Sequence, residues 1–344
     1  MLSRVYFETR ARSSLGRRSR HRRMDMSSSA PDNVANTQGF QDLPAVGFIG
    51  LGAMGLPMAR RLVAAGYPVT VYDLSAAAVQ ILTAAGARSA DCARTVAAAS
   101  DVVITMLPDS PQVQAAMAGG DGVLAGLRPD ALVVDMSTIS PAVSREVGSA
   151  VADAGGRFID APVGRTSRHA EDGDLLIMVG GATKDVDAAL PVLEHFGHDI
   201  VRCGPVGAGE TMKLVNNLLT ATIVAANAEA LVLGVSSGLE LETVLRVLRM
   251  TAASNTHLKS TYAEKALRRD FSPGFATRLA VKDLRLVMSL AIDQQLPVGV
   301  GAAALQLFST ACSQGHASDD YTSVITVLEQ LAGVELDERV EVPA

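Results

Sequence analysis

Lys213, Asn216, Asn217 and Thr220 recur at i, i+3, i+4 and i+7, which places one amine, two amides and a hydroxyl on a single face of a helix. Leu214, Val215, Leu218, Leu219 and Ala221 fill the other faces. A polar stripe is ordinarily a solvated face. Here its only charge is one lysine, and the segment beyond it, IVAANAEALVLG, is apolar nearly all round. A helix of that composition is expected to be buried, so its lysine needs partners or a lowered pKa. Such an amine can give a proton to a developing alkoxide, or take one from an alcohol, as general acid or base.

Two further groups of residues suit that chemistry. Gly50, Gly52 and Gly55 spell G-x-G-x-x-G, with Leu51, Ala53 and Met54 between them, directly after the apolar run AVGFIG and before MARRLVAAG. In such a loop the first glycine allows a tight turn, the second lets a pyrophosphate approach the backbone, and the third lets helix and strand pack closely. Unpaired N–H groups at the helix N-terminus then face the phosphates. Asp73 follows Gly50 by 23 residues, at the end of the next strand, VTVYD. There a carboxylate can accept hydrogen bonds from a ribose diol and repels a 2′-phosphate, which points to NAD(H) rather than NADP(H). Its alternative role is a turn or helix-cap residue shared with Ser75. The second group is the segment DAPVGRTSRHAEDG, Asp160 to Gly173, where Arg165 stands beside the hydroxyls of Thr166 and Ser167. A guanidinium fork binds two oxygens of a carboxylate, sulfonate or phosphate. Alternatively, Arg165 turns outward to pair with Glu171, Asp172 or Asp174, a surface contact worth at most about 1 kcal/mol.

These residues need a scaffold, and the apolar pattern supplies one. Strand, glycine turn, helix and strand succeed each other from Ala45, and the runs at 102–107, 131–136 and 157–162 continue the alternation between Ala-rich helical segments. Strands alternating with helices imply a doubly wound, mostly parallel sheet covered on both faces. After Gly204 the pattern turns helical to about Leu331, and a long helix from about Glu210 leads from one part into the other. The reading divides the chain into an Arg-rich, disordered extension (1–43), a nucleotide-binding domain (44–206), a helical substrate and dimerisation domain (207–335) and a tail (336–344).

Composition narrows the function. The chain has 344 residues, 48% of them hydrophobic, and a formal net charge of −6, with no Trp and five Tyr. It therefore lacks the positive charge and the stacking platforms of a nucleic-acid binder. Lys213, Asn216 and Asn217 interrupt the longest apolar stretch, which argues against a membrane span. Cys92, Cys203 and Cys312 are odd in number and far apart, against a disulfide framework or a zinc site and in keeping with a reducing cytoplasm. Eight arginines precede Met24, with Glu8 the one acid among them. They read as a translated upstream extension, with Met24 or Met26 as the start, or as a mitochondrial transit peptide.

Taken together, GFIGLGAMGLPMARRL, TMLPD (105–109), DMSTISP (135–141), DAPV, the GxGxxxKxxNN from Gly207 to Asn217, and FATRLAVKDL (275–284) resemble the β-hydroxyacid dehydrogenases from about residue 45 to 333. The resemblance implies a Rossmann domain followed by an all-α domain, Lys213 as the catalytic acid/base, and Asn216 and Asn217 as substrate contacts. It also implies that Leu107, Pro108 and Thr138 lie near the cofactor's ribose and nicotinamide, with Lys282 in the cleft. A salt bridge with Asp283 is the other role open to Lys282. Most of the family carries DAPVSGG, whose serine and glycines hold a substrate carboxylate. Gly164, Arg165 and Thr166 replace them here. The GRTS variant resembles the branch that reduces a sulfonated C3 aldehyde with NADH. The expected reaction is reduction of a small anionic aldehyde, or its reverse, with 3-hydroxyisobutyrate, tartronate semialdehyde or succinic semialdehyde as alternative substrates. A non-catalytic cofactor-binding module is the other class considered, and its mark would be loss of Lys213. His169 reads as a rim residue. The apolar far end of the long helix suggests a homodimer or homotetramer.

Overall fold

The computed structural model describes residues 43–336, so of the expected extension (1–43) and tail (336–344) only Leu43 and Leu336 are described, and the rest lies outside the described residues. Leu336, placed in the tail, is instead buried in the helical core and donates its N–H to Glu329 Oε1. Four-residue runs of β-branched and aromatic residues form the first strands: β1 (Val46–Ile49), β2 (Val69–Tyr72), β4 (Val102–Thr105) and β5 (Leu132–Asp135), with the two-residue β3 (Arg88–Ser89) at the edge. β6 (Arg157–Asp160) completes a parallel set in the order β3-β2-β1-β4-β5-β6. Side chains alternate between the two faces. Val46, Phe48, Val102, Ile104, Leu132 and Val134 join one buried cluster, whereas Ile49, Val103, Val133 and Phe158 join another on the opposite face. Helices cover both clusters, as a doubly wound sheet requires.

Beyond β6 the sheet departs from the simple alternation. The chain passes through β7 (Val163–Gly164), turns over the short helix Ser167–Asp172, and returns as β8 (Leu176–Gly180), which runs antiparallel to β6 and β7. β9 (Asp199–Gly204) then pairs parallel with β8. Neither LIMVG nor DIVRCG was set apart as a strand in the sequence. The fold is nevertheless the expected one: a mostly parallel α/β sheet followed by helices.

The 29-residue helix Ala208–Ser236 joins the two parts. It starts two residues earlier than expected, because Gly209 lets it approach the sheet. A Cβ there would lie 2.4 Å from the Met178 carbonyl oxygen and 2.8 Å from Asp160 Oδ2. By length and apolar composition this helix could cross a bilayer. Here it is the axis of the helical part. Val224, Ala228, Leu231 and Val232 pack with Leu245, Tyr262, Leu284, Phe308 and Val324 from the surrounding helices into one cluster. The helices Thr277–Asp293 and Val324–Ala332 lie against it, and the former carries Lys282 and Asp283.

Candidate functional site

The glycine loop has the shape a dinucleotide needs. Gly50 adopts φ +96°, and a Cβ there would sit 2.3 Å from the Met106 carbonyl oxygen. A Cβ on Gly55 would lie 1.9 Å from the Gly50 carbonyl oxygen, so only glycine lets the helix Gly55–Ala64 start this close to the turn. Gly52 differs from both: nothing lies within 4 Å of its Cβ position, and its outer face is open to a pyrophosphate. Leu51 is buried, Ala53 is exposed and Met54 is half-buried. Asp73 closes the loop from the end of β2: Oδ2 accepts the Leu51 N–H at 2.6 Å and Oδ1 accepts the Ser75 N–H at 2.6 Å. The turn-holding role is thus filled, and each oxygen keeps a lone pair for a ribose hydroxyl. The next residue, Leu74, is 93% exposed, so no cation follows Asp73 to meet a 2′-phosphate.

The loops after β4 and β5 lie side by side beyond the sheet. Leu107 donates its N–H to Ser137 Oγ at 2.9 Å, Pro108 is exposed, and Thr138 is half-buried. Lys282 reaches across from the helical part, donating from Nζ to the Thr138 carbonyl oxygen at 2.6 Å while lying 2.9 Å from Asp283 Oδ1. Of the two roles open to Lys282 in the sequence, the pair with Asp283 is formed, and the same amine also holds the loop carrying Thr138.

Lys213 is 8% exposed and forms no ion pair among the described residues. Burial pushes its pKa down, and the Asp283 carboxylate opposes that shift. Asp283 is 3% exposed and accepts a hydrogen bond at Oδ2 from Asn217 Nδ2; Asn217 Oδ1 in turn accepts from Asn216 Nδ2 at 3.0 Å. The polar stripe thus runs from buried Lys213 to exposed Asn216 and half-buried Asn217 and Thr220. The sequence offered Asp283 only as a possible partner of Lys282. Its orienting role could have been sought in a charged pair set between the apolar residues Val281 and Leu284.

The loop after β6 is more divided. Gly164 is buried in β7, and Arg165 holds φ +76°, a left-handed conformation that costs a non-glycine residue roughly 1–2 kcal/mol. That backbone suits the glycine that the DAPVSGG pattern places there. The Arg165 guanidinium donates to the Asp174 carbonyl oxygen and Oδ1, each at 2.6 Å, and to Asp199 Oδ2. Of these partners, Asp174 was among the outward partners considered from sequence, and Asp199 was not. The Thr166 hydroxyl lies 2.8 Å from His169 Nδ1, so His169 holds the turn. Ser167 opens the short helix and is half-buried.

Two family models cover this body. One, the NAD binding domain of 6-phosphogluconate dehydrogenase, matches residues 45–204. The other, described as NAD-binding of NADP-dependent 3-hydroxyisobutyrate dehydrogenase, matches residues 207–328. The 2-(hydroxymethyl)glutarate dehydrogenase of Eubacterium barkeri is 38% identical over 291 residues, 85% of this chain and 97% of its own. The 3-sulfolactaldehyde reductase of Escherichia coli (strain K12) is 36% identical over 292 residues, 85% of this chain and 98% of its own. The chain belongs to the β-hydroxyacid dehydrogenase family. A solved structure of Mycobacterium tuberculosis 3-hydroxyisobutyrate dehydrogenase with L-serine matches this dehydrogenase with a TM-score of 0.78 at 34% identity, covering 83% of this chain and 99% of the other. The chain is an NAD-dependent oxidoreductase acting on a CH–OH group. Its open face at Gly52 and its carboxylate at Asp73 fit NAD(H).

Proposed function

We propose that the enzyme interconverts 3-sulfolactaldehyde and 2,3-dihydroxypropane-1-sulfonate, with Lys213 as acid/base and Arg165 as the anchor of the sulfonate. The observation that carries the reaction type is a buried lysine with a lowered pKa, one helical turn from an amide that Asp283 orients. When bound, the nicotinamide supplies or accepts the hydride. As a carbonyl becomes an alcohol, Lys213 gives its ammonium proton to the oxygen; in the reverse direction the neutral amine takes the hydroxyl proton. Burial disfavours the ammonium, which helps it release that proton, and Asp283 limits how far the shift goes. Asn217 is held with its amide toward Asp283, leaving Asn216 and Thr220 on the same face to contact the substrate's oxygens.

The sulfonate rests on the GRTS stretch. To hold it, Arg165 exchanges Asp174 or Asp199 for the ligand. Both carboxylates are more than half exposed, and such pairs contribute about 1 kcal/mol or less each, so the exchange costs little. A second reading draws on the same contacts: if Arg165 stays with its two aspartates, the loop backbone, Thr166, Ser167 and Asn216 receive a carboxylate instead, and 3-hydroxyisobutyrate, tartronate semialdehyde or succinic semialdehyde becomes the substrate. Side-by-side NADH-oxidation assays with sulfonated and carboxylated aldehydes separate the two. Under the sulfonate reading Arg165→Ala raises KM for the sulfonate far more than it lowers kcat. Equal losses in both, or a preference for the carboxylates, would refute the anchor.

A second copy of the chain is part of the proposal. Val215, Leu219 and Leu233 of the long helix are 50%, 62% and 68% exposed, and contact with another protomer in a dimer or tetramer would cover them.

A further inference from the structure

The tips of β5 and β6 and the first turn of the long helix bring Asp135, Asp160 and Glu210 together, each fully buried. Asp160 is satisfied: Oδ1 accepts the Gly207 N–H at 2.7 Å and Oδ2 the Glu210 N–H at 2.9 Å, so it caps the helix. Asp135 Oδ1 accepts from Thr105 Oγ1 at 2.8 Å, from Ser137 Oγ at 2.6 Å and from the Ser137 N–H at 3.2 Å. Glu210 Oε2 accepts the Ile139 N–H at 3.1 Å. Asp135 Oδ2 and Glu210 Oε1 remain, and neither has a hydrogen-bond partner. A buried carboxyl oxygen without a donor is costly, and two of them in one dry cluster are relieved together by a single proton.

We propose that Glu210 is a positioning residue, protonated at neutral pH, that donates from Oε1 to Asp135 Oδ2 and so fastens the loop carrying Thr138 to the turn of helix carrying Lys213. The proton resides on Glu210 because Asp135 already receives three donors that stabilise its anion, against one for Glu210. Burial raises the pKa of both carboxyls, but the donors from Ser137 and Thr105 hold that of Asp135 back. Burial first, and then the Asp135 charge, push Glu210 well above the ordinary carboxylate range, with Asp160 adding to the rise and Lys282 opposing it. Lys213, one turn further along the helix, also faces the cluster, and Glu210 exerts only the last of the influences on its pKa. A neutral Glu210 does not pin Lys213 as an ammonium. Leu107, Ser137, Asp135, Glu210 and Ile139 then form one continuous hydrogen-bonded path from the loop after β4 to the long helix.

The consequence for catalysis rests on Lys213 as the acid/base, but the test does not need that reading. Infrared difference spectra of the full chain without substrate should show a protonated carboxyl band at pH 7 that Glu210→Gln removes. Thermal unfolding is the second readout. A glutamate whose folded pKa is raised has its full stabilising effect below its unfolded pKa and loses it as pH rises toward the folded value. The Tm of the native chain should therefore fall relative to that of Glu210→Gln as pH rises from the ordinary glutamate value of 4.5 through neutrality. In activity, Glu210→Ala should lower kcat/KM at least about tenfold, and Glu210→Gln should recover most of that loss without moving the pH profile. Absence of the band, a Tm difference that does not vary with pH, or a glutamine profile shifted to lower pH, as removal of a nearby negative charge would cause, would overturn the proposal. Intact spectral and thermal signatures in an enzyme that tolerates loss of Lys213 would instead count against the acid/base reading alone.

Discussion

Gly52 and Gly55 stand three residues apart in one loop, yet alanine at each should fail in a different way. At Gly55 the new Cβ would lie 1.9 Å from the Gly50 carbonyl oxygen, where real Cβ contacts stay beyond 3.0 Å. Turn and helix would have to part by about 1 Å, and overpacking of that kind costs about 1–3 kcal/mol. For a chain of this size that lowers Tm by roughly 2–10 °C. At Gly52 the added methyl meets nothing in the protein, so Tm should stay within about 1 °C. The methyl does occupy the face a pyrophosphate approaches, and losing one such close contact should weaken NADH binding about 10- to 100-fold, or 1.4–2.8 kcal/mol. Differential scanning fluorimetry of the free protein and NADH titration by fluorescence read the two effects separately. Undiminished NADH affinity in Gly52→Ala, or equal thermal losses in both variants, would refute the assignment of the loop.

Two other substitutions probe the electrostatics. Asp283→Asn removes the carboxylate that raises the pKa of Lys213, so in the reduction direction kcat/KM should begin to decline at a lower pH than in the native enzyme; an unmoved profile would show that Asp283 does not act on Lys213. Asp73→Asn removes the charge that disfavours a 2′-phosphate and one of the two acceptors holding Leu51 and Ser75, so the preference for NADH over NADPH should narrow by about tenfold in kcat/KM. A preference that stays the same would leave Asp73 with the turn alone.

What the sequence disclosed follows from how local each feature is. The glycine loop, Asp73 and the Lys213 stripe depend on spacing within one turn, one helix or one βαβ unit, and each was legible from periodicity. β8 and β9 were not, because the antiparallel direction of LIMVG is decided only by its pairing with β6, and β9 by its pairing with β8. The direction of the Arg165 side chain was equally hidden. Asp174 is close in sequence, but Asp199 arrives only through the pairing of β9 with β8. The joining of Asp135 with Glu210, and of Lys282 with Thr138, spans 75 and 144 residues and exists only once the helical part closes over the strand tips. A buried acid at a strand terminus reads in sequence like any turn aspartate.

We propose that one buried lysine moves the proton of the reaction while the glycine loop and Asp73 govern the cofactor. Lys213→Met, close in volume and uncharged, tests it in one measurement: single-turnover NADH oxidation alongside NADH affinity. Turnover should fall by at least about 100-fold, as loss of a general acid does, with the NADH Kd unchanged. Turnover near that of the native enzyme with the same substrate would contradict it.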